Sequence, residues 1–254
     1  MVDAVRSVRI IGPGRAGGSL AAALANAGWT LVPPLGRGDD LAAAAEGVDV
    51  LVIATPDSEV ERVAREVEPA ESTTVIHLAG SLGLGALEPH PIRAAVHPLV
   101  SLPDTATGAR RLGSGIWFAV AASGERAAQI AGDLVRALNG RSFSVPDELR
   151  PLYHATASVA SNHFVALMGQ VARLADLAGV PLAAYLELVR STFENVAALG
   201  PEAALTGPVA RGDWETVRAH QRALPAEELP AYDCMAAEAA RLCGRHLPPP
   251  DHLT

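Results

Sequence analysis

The stretch PLYHATASVASNHFVALMGQ, residues 151–170, carries a row of uncharged side chains that can donate or accept hydrogen bonds. On a helix at about 100° per residue, His154, Ser158, Ser161 and Asn162 fall in one stripe beside an apolar face. A histidine with serine and asparagine beside it can move a proton and orient a carbonyl oxygen, as the wall of an active site does. A polar seam against a neighbouring helix would look the same, so the rest of the chain must decide.

The absence of lysine narrows the acid–base chemistry available to the chain. All 20 basic residues are arginine. This excludes a P-loop lysine, a Schiff-base lysine and a lysine general acid. A proton donor must be another group, and histidine is the first candidate. The eight histidines show no paired ligand spacing, so no metal site is predicted.

Composition and charge indicate a globular protein that acts on small molecules. The chain has 254 residues, 49% hydrophobic and 19% charged, and a formal net charge of −8. This charge argues against nucleic acid or an anionic membrane as the main partner. A disulfide between Cys234 and Cys243 is not expected, because they point to opposite sides of a predicted helix. With no signal peptide or membrane-spanning run recognised, the expected location is the cytoplasm.

Strands and helices alternate in the first part of the chain. Val/Ile-rich runs predict strands at 8–12, 30–35, 48–55, 73–79, 93–99 and 115–122, with a shorter candidate at 141–145. Helices are predicted at 16–27, 39–46, 57–67 and 124–138. This alternation indicates an α/β N-terminal domain, residues 1–146, with a Rossmann-like, doubly wound parallel sheet. Helical patterns at 150–178, 182–198, 213–223 and 226–245 predict an all-α C-terminal domain, residues 147–254.

A glycine-rich loop follows the first strand and opens an Ala-rich helix. Gly12, Gly14 and Gly17 have the G-x-G-x-x-G spacing of dinucleotide sites. Gly12 allows the tight turn, Gly14 lets the backbone approach a pyrophosphate, and Gly17 lets the helix pack on the strand. The free N–H groups at the helix start favour phosphate. The predicted cofactor residues of this loop are Gly12, Pro13, Gly14, Arg15, Ala16 and Gly17.

The end of the second strand indicates which dinucleotide is bound. An NAD site usually has an acidic residue there, whereas this chain has Gly36 followed by Arg37. An arginine suits a 2′-phosphate, so NADPH is favoured over NADH. Asp39 and Asp40 come later and are interpreted as caps of the helix predicted at 39–46.

Ligands of open α/β sheets bind at the carboxyl ends of the strands. Further predicted cofactor residues at these ends are Thr55, Pro56, Ala79 and Gly80, with Ser81 on the substrate side. His97, at the end of the fifth strand, can reach substrate or nicotinamide, or can instead fix the His–Pro turn.

Six motifs together resemble the bacterial Rossmann-like proteins whose C-terminal part is the DUF2520 domain. They are GPGRAG, ATPD, HLAGSLG, AVHPLVSL, YHATASVASN and ALTGPVARGD. That group is related to NADPH-dependent reductases, including ketopantoate reductase, pyrroline-5-carboxylate reductase and F420-dependent NADP oxidoreductase. The resemblance implies NADPH in the N-terminal domain, substrate in the cleft against the helical domain, and a homodimer formed through the helical domain. Some DUF2520-like proteins are thought to be alternative ketopantoate reductases, so ketopantoate is the best single candidate for the substrate.

The resemblance also implies roles for individual residues. Ketopantoate reductases begin the helical domain with a lysine and place asparagines one and two turns later. Here His154, Ser158 and Asn162 have that spacing and the lysine is absent, so His154 would donate the proton or polarise the carbonyl. Arg211 is either a clamp for a substrate carboxylate or a surface arginine. The remaining predicted substrate residues are Ser81, Ser161, Thr206 and Gly207.

Three functions stay open at this point. The first is NADPH-dependent reduction of a small carboxylated carbonyl or imine compound, with His154 or His97 as proton donor. The second is a redox-inactive NADP(H)-binding sensor. The third is a hydrolase with Ser81 as nucleophile, although LAGSLG departs from the G-x-S-x-G motif and no convincing Asp…His pair follows.

Overall fold

The computed structural model describes residues 6–246, and these residues form two compact units. The first unit extends to His163 and contains a seven-stranded sheet, whereas the regular structure of the second, from Phe164 on, is entirely helical. Residues 147–163, which the sequence pattern groups with the helical domain, lie in the same unit as the sheet. Between residues 6 and 246, no helix combines the length and apolarity needed to cross a bilayer.

The sheet has the strand order β2-β1-β3-β4-β5-β6-β7. The strands are β1 (Ser7–Ile11), β2 (Thr30–Leu31), β3 (Val50–Ile53), β4 (Thr74–His77), β5 (Arg93–Pro98), β6 (Trp117–Ala122) and β7 (Arg141–Phe143). Strands β1 to β5 pair in parallel, as predicted, and β6 pairs antiparallel with β5. Every residue of β3 and β4 is buried, as expected of a sheet covered on both faces.

Helices cover both faces of this sheet. They are α1 (Arg15–Asn26), α2 (Asp57–Glu66), α3 (Thr105–Leu112) and α4 (Glu125–Ala137), and the unit also contains α5 (Arg150–Ser158). Successive residues of β3 enter different cores, because side chains of a strand alternate between faces. Val52 packs in the core that contains Leu24 and Phe118, and Ile53 packs in the core that contains Val63.

The prediction of a helix at 39–46 is wrong, and the cause lies in hydrogen bonds between neighbouring residues. Residues 42–47 form turns. The Asp39 carboxylate accepts a hydrogen bond from the Gly36 N–H at 2.7 Å, and the Asp40 carboxylate accepts one from the Ala42 N–H at 3.0 Å. These short side-chain-to-backbone bonds stabilise turns in competition with a helix start.

The antiparallel strand β6 follows a helix that the sequence pattern did not reveal. Helix α3 packs on α1, where Gly108 lies so close to Ser19 that any side chain at 108 would collide with its hydroxyl. The chain therefore returns beside the end of β5, and the Leu99 N–H donates to the Trp117 carbonyl at 2.9 Å.

Up to His246, the second unit consists of six helices and a short 3₁₀ turn. The helices are α6 (Phe164–Leu177), α7 (Leu182–Leu199), α8 (Pro201–Ala204), α9 (Pro208–Arg211), α10 (Trp214–Ala223) and α11 (Leu229–Leu242). Val209, Val217 and Ala236 form a small core between α9, α10 and α11. Arg173 of α6 binds the buried Glu228 carboxylate through Nε at 2.5 Å and Nη2 at 3.0 Å. Cys234 and Cys243 are free thiols.

Candidate functional site

The glycine-rich loop has the geometry that its sequence predicts. Gly12 adopts a φ of +87°, and a Cβ there would lie 3.0 Å from the Ala54 carbonyl group. A side chain on Gly17 would collide with the Gly12 carbonyl oxygen. By contrast, a Cβ on Gly14 would meet nothing within 4 Å, so the space in front of α1 is open. Glycine is therefore needed at positions 12 and 17 for folding. At position 14 it is needed only to keep the space in front of α1 open.

The start of α1 presents unpaired backbone donors to that open space. Gly14 is the N-cap residue, and no side chain caps the helix. The first helical bond runs from the Gly18 N–H to the Gly14 carbonyl at 2.7 Å, which leaves the N–H groups of Arg15, Ala16 and Gly17 without intrahelical acceptors. Together with the positive end of the helix dipole, these donors suit a phosphate. Pro13 and Arg15 are exposed at its edge.

The segment that follows β2 places a cation and a carboxylate beside the loop. Leu35 bridges to Ile11, and the Gly12 N–H donates to the Leu35 carbonyl at 2.8 Å. Arg37 is exposed two residues later and forms no hydrogen bond or ion pair within the part of the chain that the structure describes. Asp39 folds back onto Gly36, so an acidic group lies close to the position where an NAD site has one.

The segments that follow β3 and β4 line the same end of the sheet. A Cβ on Gly12 would lie 3.1 Å from the Thr55 nitrogen, which places the end of β3 next to the loop. Pro56 precedes α2 as its N-cap residue. After β4, Ala79 and Gly80 are both buried.

Two histidines converge on Gly80, and a tyrosine contacts one of them. A Cβ on Gly80 would lie 3.0 Å from Nε2 and Cε1 of His97 and 3.0 Å from Cδ2 of His154. The imidazole centroids of the two histidines are 6.3 Å apart. The Tyr153 hydroxyl lies 2.6 Å from Nδ1 of His97. The structure thus brings together two predicted catalytic residues and adds Tyr153, which was not among the predicted site residues.

The environment of His97 favours the neutral imidazole. Burial lowers the pKa of His97 to about 4, and the nearby His154 and Arg150 add to this effect. A neutral His97 with Nδ1 engaged by Tyr153 presents Nε2 toward Gly80. Depending on its tautomer, that nitrogen can donate or accept one hydrogen bond.

His77 holds the loop that follows β4. Its side chain is fully buried, and Nε2 lies 3.2 Å from the Gly83 carbonyl oxygen, to which it can donate. Burial lowers the pKa of His77 to about 4. In the same loop the Ser81 hydroxyl donates to the Asp57 carboxylate at 2.7 Å. Ser81 is therefore bonded to an acid, and no histidine among the described residues is bonded to it as a hydrolase nucleophile requires.

The helix predicted to run unbroken from 150 to 178 is interrupted within the polar stripe. Helix α5 ends at Ser158, and Val159–His163 form a π-helical turn. Since a π turn bonds i to i+5, the 100° spacing assumed for Ser161 and Asn162 does not hold beyond Ser158. Ser158 and Ser161 are partly buried and Asn162 is exposed.

The remaining predicted substrate residues lie in the second unit. Thr206 is exposed, Gly207 has a φ of +98°, and Arg211 is exposed at the end of α9. Asp213 caps α10 by accepting a hydrogen bond from the Thr216 N–H at 3.1 Å. Across residues 6–246, no group of three His, Cys, Asp or Glu side chains is placed to hold a metal ion.

Sequence reasoning missed Arg150, the most buried charged group of the first unit. Its side chain is fully buried, and Nε donates to Asp147 at 3.1 Å. Nη1 and Nη2 have no hydrogen-bond partner among the described residues. A sequence gives no signal for this, because burial of an arginine depends on which elements pack around it.

Comparison with known proteins confirms the resemblance to DUF2520 proteins. The family model described as a domain of unknown function, DUF2520, matches residues 116–239. The match begins at Ile116, so it includes β6, α4 and β7 as well as most of the helical region. Among curated proteins, none matches the sequence.

Solved structures of other proteins with the same fold align with this chain over almost its whole length. A Bacteroides fragilis protein provisionally named an NADP oxidoreductase is 21% identical, with a TM-score of 0.77 over 93% of this chain and 98% of its own. Plasmodium falciparum pyrroline carboxylate reductase with NADP bound is 14% identical, with a TM-score of 0.62 over 94% and 98%. A reductive aminase from Aspergillus terreus in complex with NADPH and ethyl levulinate is 15% identical, with a TM-score of 0.69 over 96% of each chain. These likenesses establish the Rossmann-like fold followed by a helical region.

Proposed function

We propose that this chain, which carries a DUF2520 domain, is an NADPH-dependent reductase of a small carbonyl or imine compound that bears a carboxylate. Ketopantoate is the best single candidate for this substrate. The observation that carries the proposal is the convergence of His97 and His154 on Gly80, at the same end of the sheet as an open glycine-rich loop. A reductase needs a dinucleotide cradle and a proton donor at one edge, and the first unit alone supplies both.

The cofactor fits the residues of the loop. The free N–H groups at the start of α1 and the open space at Gly14 suit a pyrophosphate, and the exposed Arg37 suits a 2′-phosphate. The names of the similar structures, which include NADP and NADPH complexes, agree with this choice. When bound, NADPH would supply the hydride.

The proton and the hydrogen bonds come from the chain itself. Reduction of a carbonyl or imine leaves a negative charge on the oxygen or nitrogen, which must be protonated and stabilised. We assign the proton to His154, because it is partly exposed, lies beside Gly80 and has no lysine in the chain to compete with it. His97, kept neutral by its burial, would donate a hydrogen bond from Nε2, with Tyr153 fixing the tautomer. Ser158 and Asn162 would orient the substrate.

We also propose a homodimer formed through the helical unit. Helix α7 has no buried residue, yet it carries Leu188, Phe193 and Leu199, which are 60%, 72% and 60% exposed. On α6, Val165 and Leu177 are exposed to a similar extent. A large exposed apolar surface on a folded chain marks an interaction site. Sedimentation equilibrium of the purified protein, with Phe193→Ser as the disrupting variant, tests this assembly.

The test of the reductase is NADPH oxidation by the purified protein with a panel of 2-oxo acids, ketopantoate included, and of cyclic imino acids. We expect consumption with at least one carboxylated substrate. NADPH binding without any consumption would favour the redox-inactive sensor, and absence of NADPH binding would contradict both.

A further inference from the structure

Arg150 is a buried cation with too few partners. A guanidinium has five N–H donors, and here only Nε is bonded, to Asp147 Oδ1 at 3.1 Å. Nη1 and Nη2 are closed off from solvent and have no partner among residues 6–246. Such an arrangement is strongly unfavourable unless an anion completes it. A fully packed apolar side chain would fill the same volume without the free-energy cost of a buried, incompletely paired charge. The presence of an arginine here therefore indicates a ligand.

The position of Arg150 places this cation beside the proposed reaction site. Arg150 is the first residue of α5, three positions before Tyr153 and four before His154, so the three side chains share one helix face. Its charge also reaches His97: burial lowers the pKa of His97 most, the charge of His154 next, and Arg150 lowers it further.

We propose that Arg150 binds the carboxylate of the substrate, with Nη1 and Nη2 donating to its two oxygens. This inference rests on the proposed function and deepens it, because it names the group that selects carboxylated substrates. Bidentate pairing of arginine with a carboxylate is the geometry in which this side chain is strongest. It assigns the role to Arg150 in place of Arg211, which is exposed to solvent and gains less from an ion pair.

Asp147 occupies the Nε side of Arg150 and leaves Nη1 and Nη2 for an incoming carboxylate. Its side chain is 56% exposed, and its Oδ1 is bonded to Arg150. The substrate carboxylate therefore adds to the Asp147 pair, and all three guanidinium nitrogens are then bonded. A phosphate of the cofactor is the other possible anion, but the phosphate donors described above lie at the start of α1.

The experiment compares a 2-oxo acid with its uncharged methyl ester, using pyruvate and methyl pyruvate as probes. Thermal melting is recorded with saturating NADP⁺ for the wild type, for Arg150→Met and for the matched surface control Arg65→Met, whose arginine pairs with Glu61 on α2. We expect pyruvate, but not the ester, to raise the Tm of the wild type and of the control. Arg150→Met should lose this response while its own Tm stays equal or rises, because a buried unpaired charge has been removed.

Kinetics and cofactor titration separate the possible sources of the anion. In the active enzyme, the preference in kcat/KM for acid over ester should fall by about 10–100-fold in Arg150→Met, the worth of a charge-assisted pair. The Kd for NADPH should not change. A weakened NADPH affinity with an intact pyruvate response would assign the anion to the cofactor and overturn the proposal.

A second variant covers the case in which Arg150→Met does not fold. Arg150→Lys keeps the charge but lacks the fork of two nitrogens, so it should fold and show a reduced preference for the acid. Wild-type acid preference in Arg150→Lys, with a lowered Tm, would make Arg150 a structural residue. Failure of the reductase itself is distinguishable, since it would leave the acid-specific change in Tm in place without any NADPH consumption.

Discussion

The hydroxyl of Tyr153 lies 2.6 Å from Nδ1 of His97, and the two rings meet edge to face with centroids 5.5 Å apart. With Nδ1 engaged, Nε2 is the ring nitrogen that faces Gly80. When the phenol donates to Nδ1, the proton of the neutral imidazole resides on Nε2. Tyr153 therefore decides whether His97 offers a donor or an acceptor at the site.

Replacing Tyr153 with Phe should change catalysis more than stability. The variant keeps the ring contact and loses the hydrogen bond, so kcat should fall about 5–10-fold, the worth of one such bond. KM and the Kd for NADPH should stay near wild type. Tyr232→Phe is a matched control, because Tyr232 makes a similar contact to Nδ1 of His220 at 2.9 Å in the second unit. Equal rates in the two variants would remove Tyr153 from the mechanism.

Replacing His154 with Ala should remove the proton donor without unfolding the chain. His154 is only partly buried, so few packing contacts are lost. General acid catalysis is typically worth about 10²–10⁴-fold, and kcat should fall by about that factor. NADPH affinity and Tm should be retained, as they should in the exposed neighbour control His163→Ala. Early melting with normal turnover would instead identify a structural histidine and turn attention to His97.

Cofactor preference should depend on the opposite charges of Arg37 and Asp39, in the segment that follows β2. Arg37→Ala should weaken NADPH binding by about 1.5–3 kcal/mol and leave NADH binding nearly unchanged. Asp39→Asn should tighten NADPH binding, because it removes a negative charge while the amide oxygen can still accept from the Gly36 N–H. Asp40→Asn is the control, since Asp40 bonds Ala42 instead. Titration of both cofactors checks this, and equal losses for NADPH and NADH in Arg37→Ala would contradict it.

Two glycines of the loop should respond differently to the same substitution. Gly14→Val should fold, because a Cβ at 14 meets nothing within 4 Å, and should block the space expected for the pyrophosphate. Gly17→Val should destabilise the protein, because its side chain collides with the Gly12 carbonyl. Melting curves and NADPH titrations separate the two effects. A Gly14→Val variant that binds NADPH normally would rule out the proposed cradle.

Stability should fall as the solution is acidified through the titration of a buried histidine. Burial lowers the pKa of His77 to about 4 from an ordinary value of 6.5. The unfolded chain therefore binds this proton first, and stability is lost as the pH falls from about 6.5 to 4. The difference corresponds to ~3 kcal/mol at most.

The measurement is urea unfolding at several pH values for the wild type and His77→Gln, whose amide can still donate to Gly83. The variant should lose part of the wild-type pH dependence. His220→Gln is the control, because His220 is exposed in the second unit. Identical pH dependence in all three proteins would show that His77 does not contribute.

The order of strands and helices followed from the sequence wherever local pattern and burial agree. β3 is a continuous apolar run because both of its faces are covered, and such a run is visible in any sequence. Helix α3 was not visible, since its threonine and glycine residues suit a helix only after Gly108 packs against Ser19. The turn at Asp39 and Asp40 was misread as a helix cap because the same side chains serve both structures.

The sequence by itself determined the glycine-rich loop, because the loop depends on the conformational freedom of glycines at a fixed spacing. It also identified His97 and His154 as separate candidates. Only the tertiary structure decided that both meet at Gly80, that Tyr153 holds one of them, and that Arg150 is buried among them. The physical reason is that the contact from His97 to Tyr153 joins residues 56 positions apart in the chain. It forms because α5 packs against the edge of the sheet. No local pattern encodes that contact.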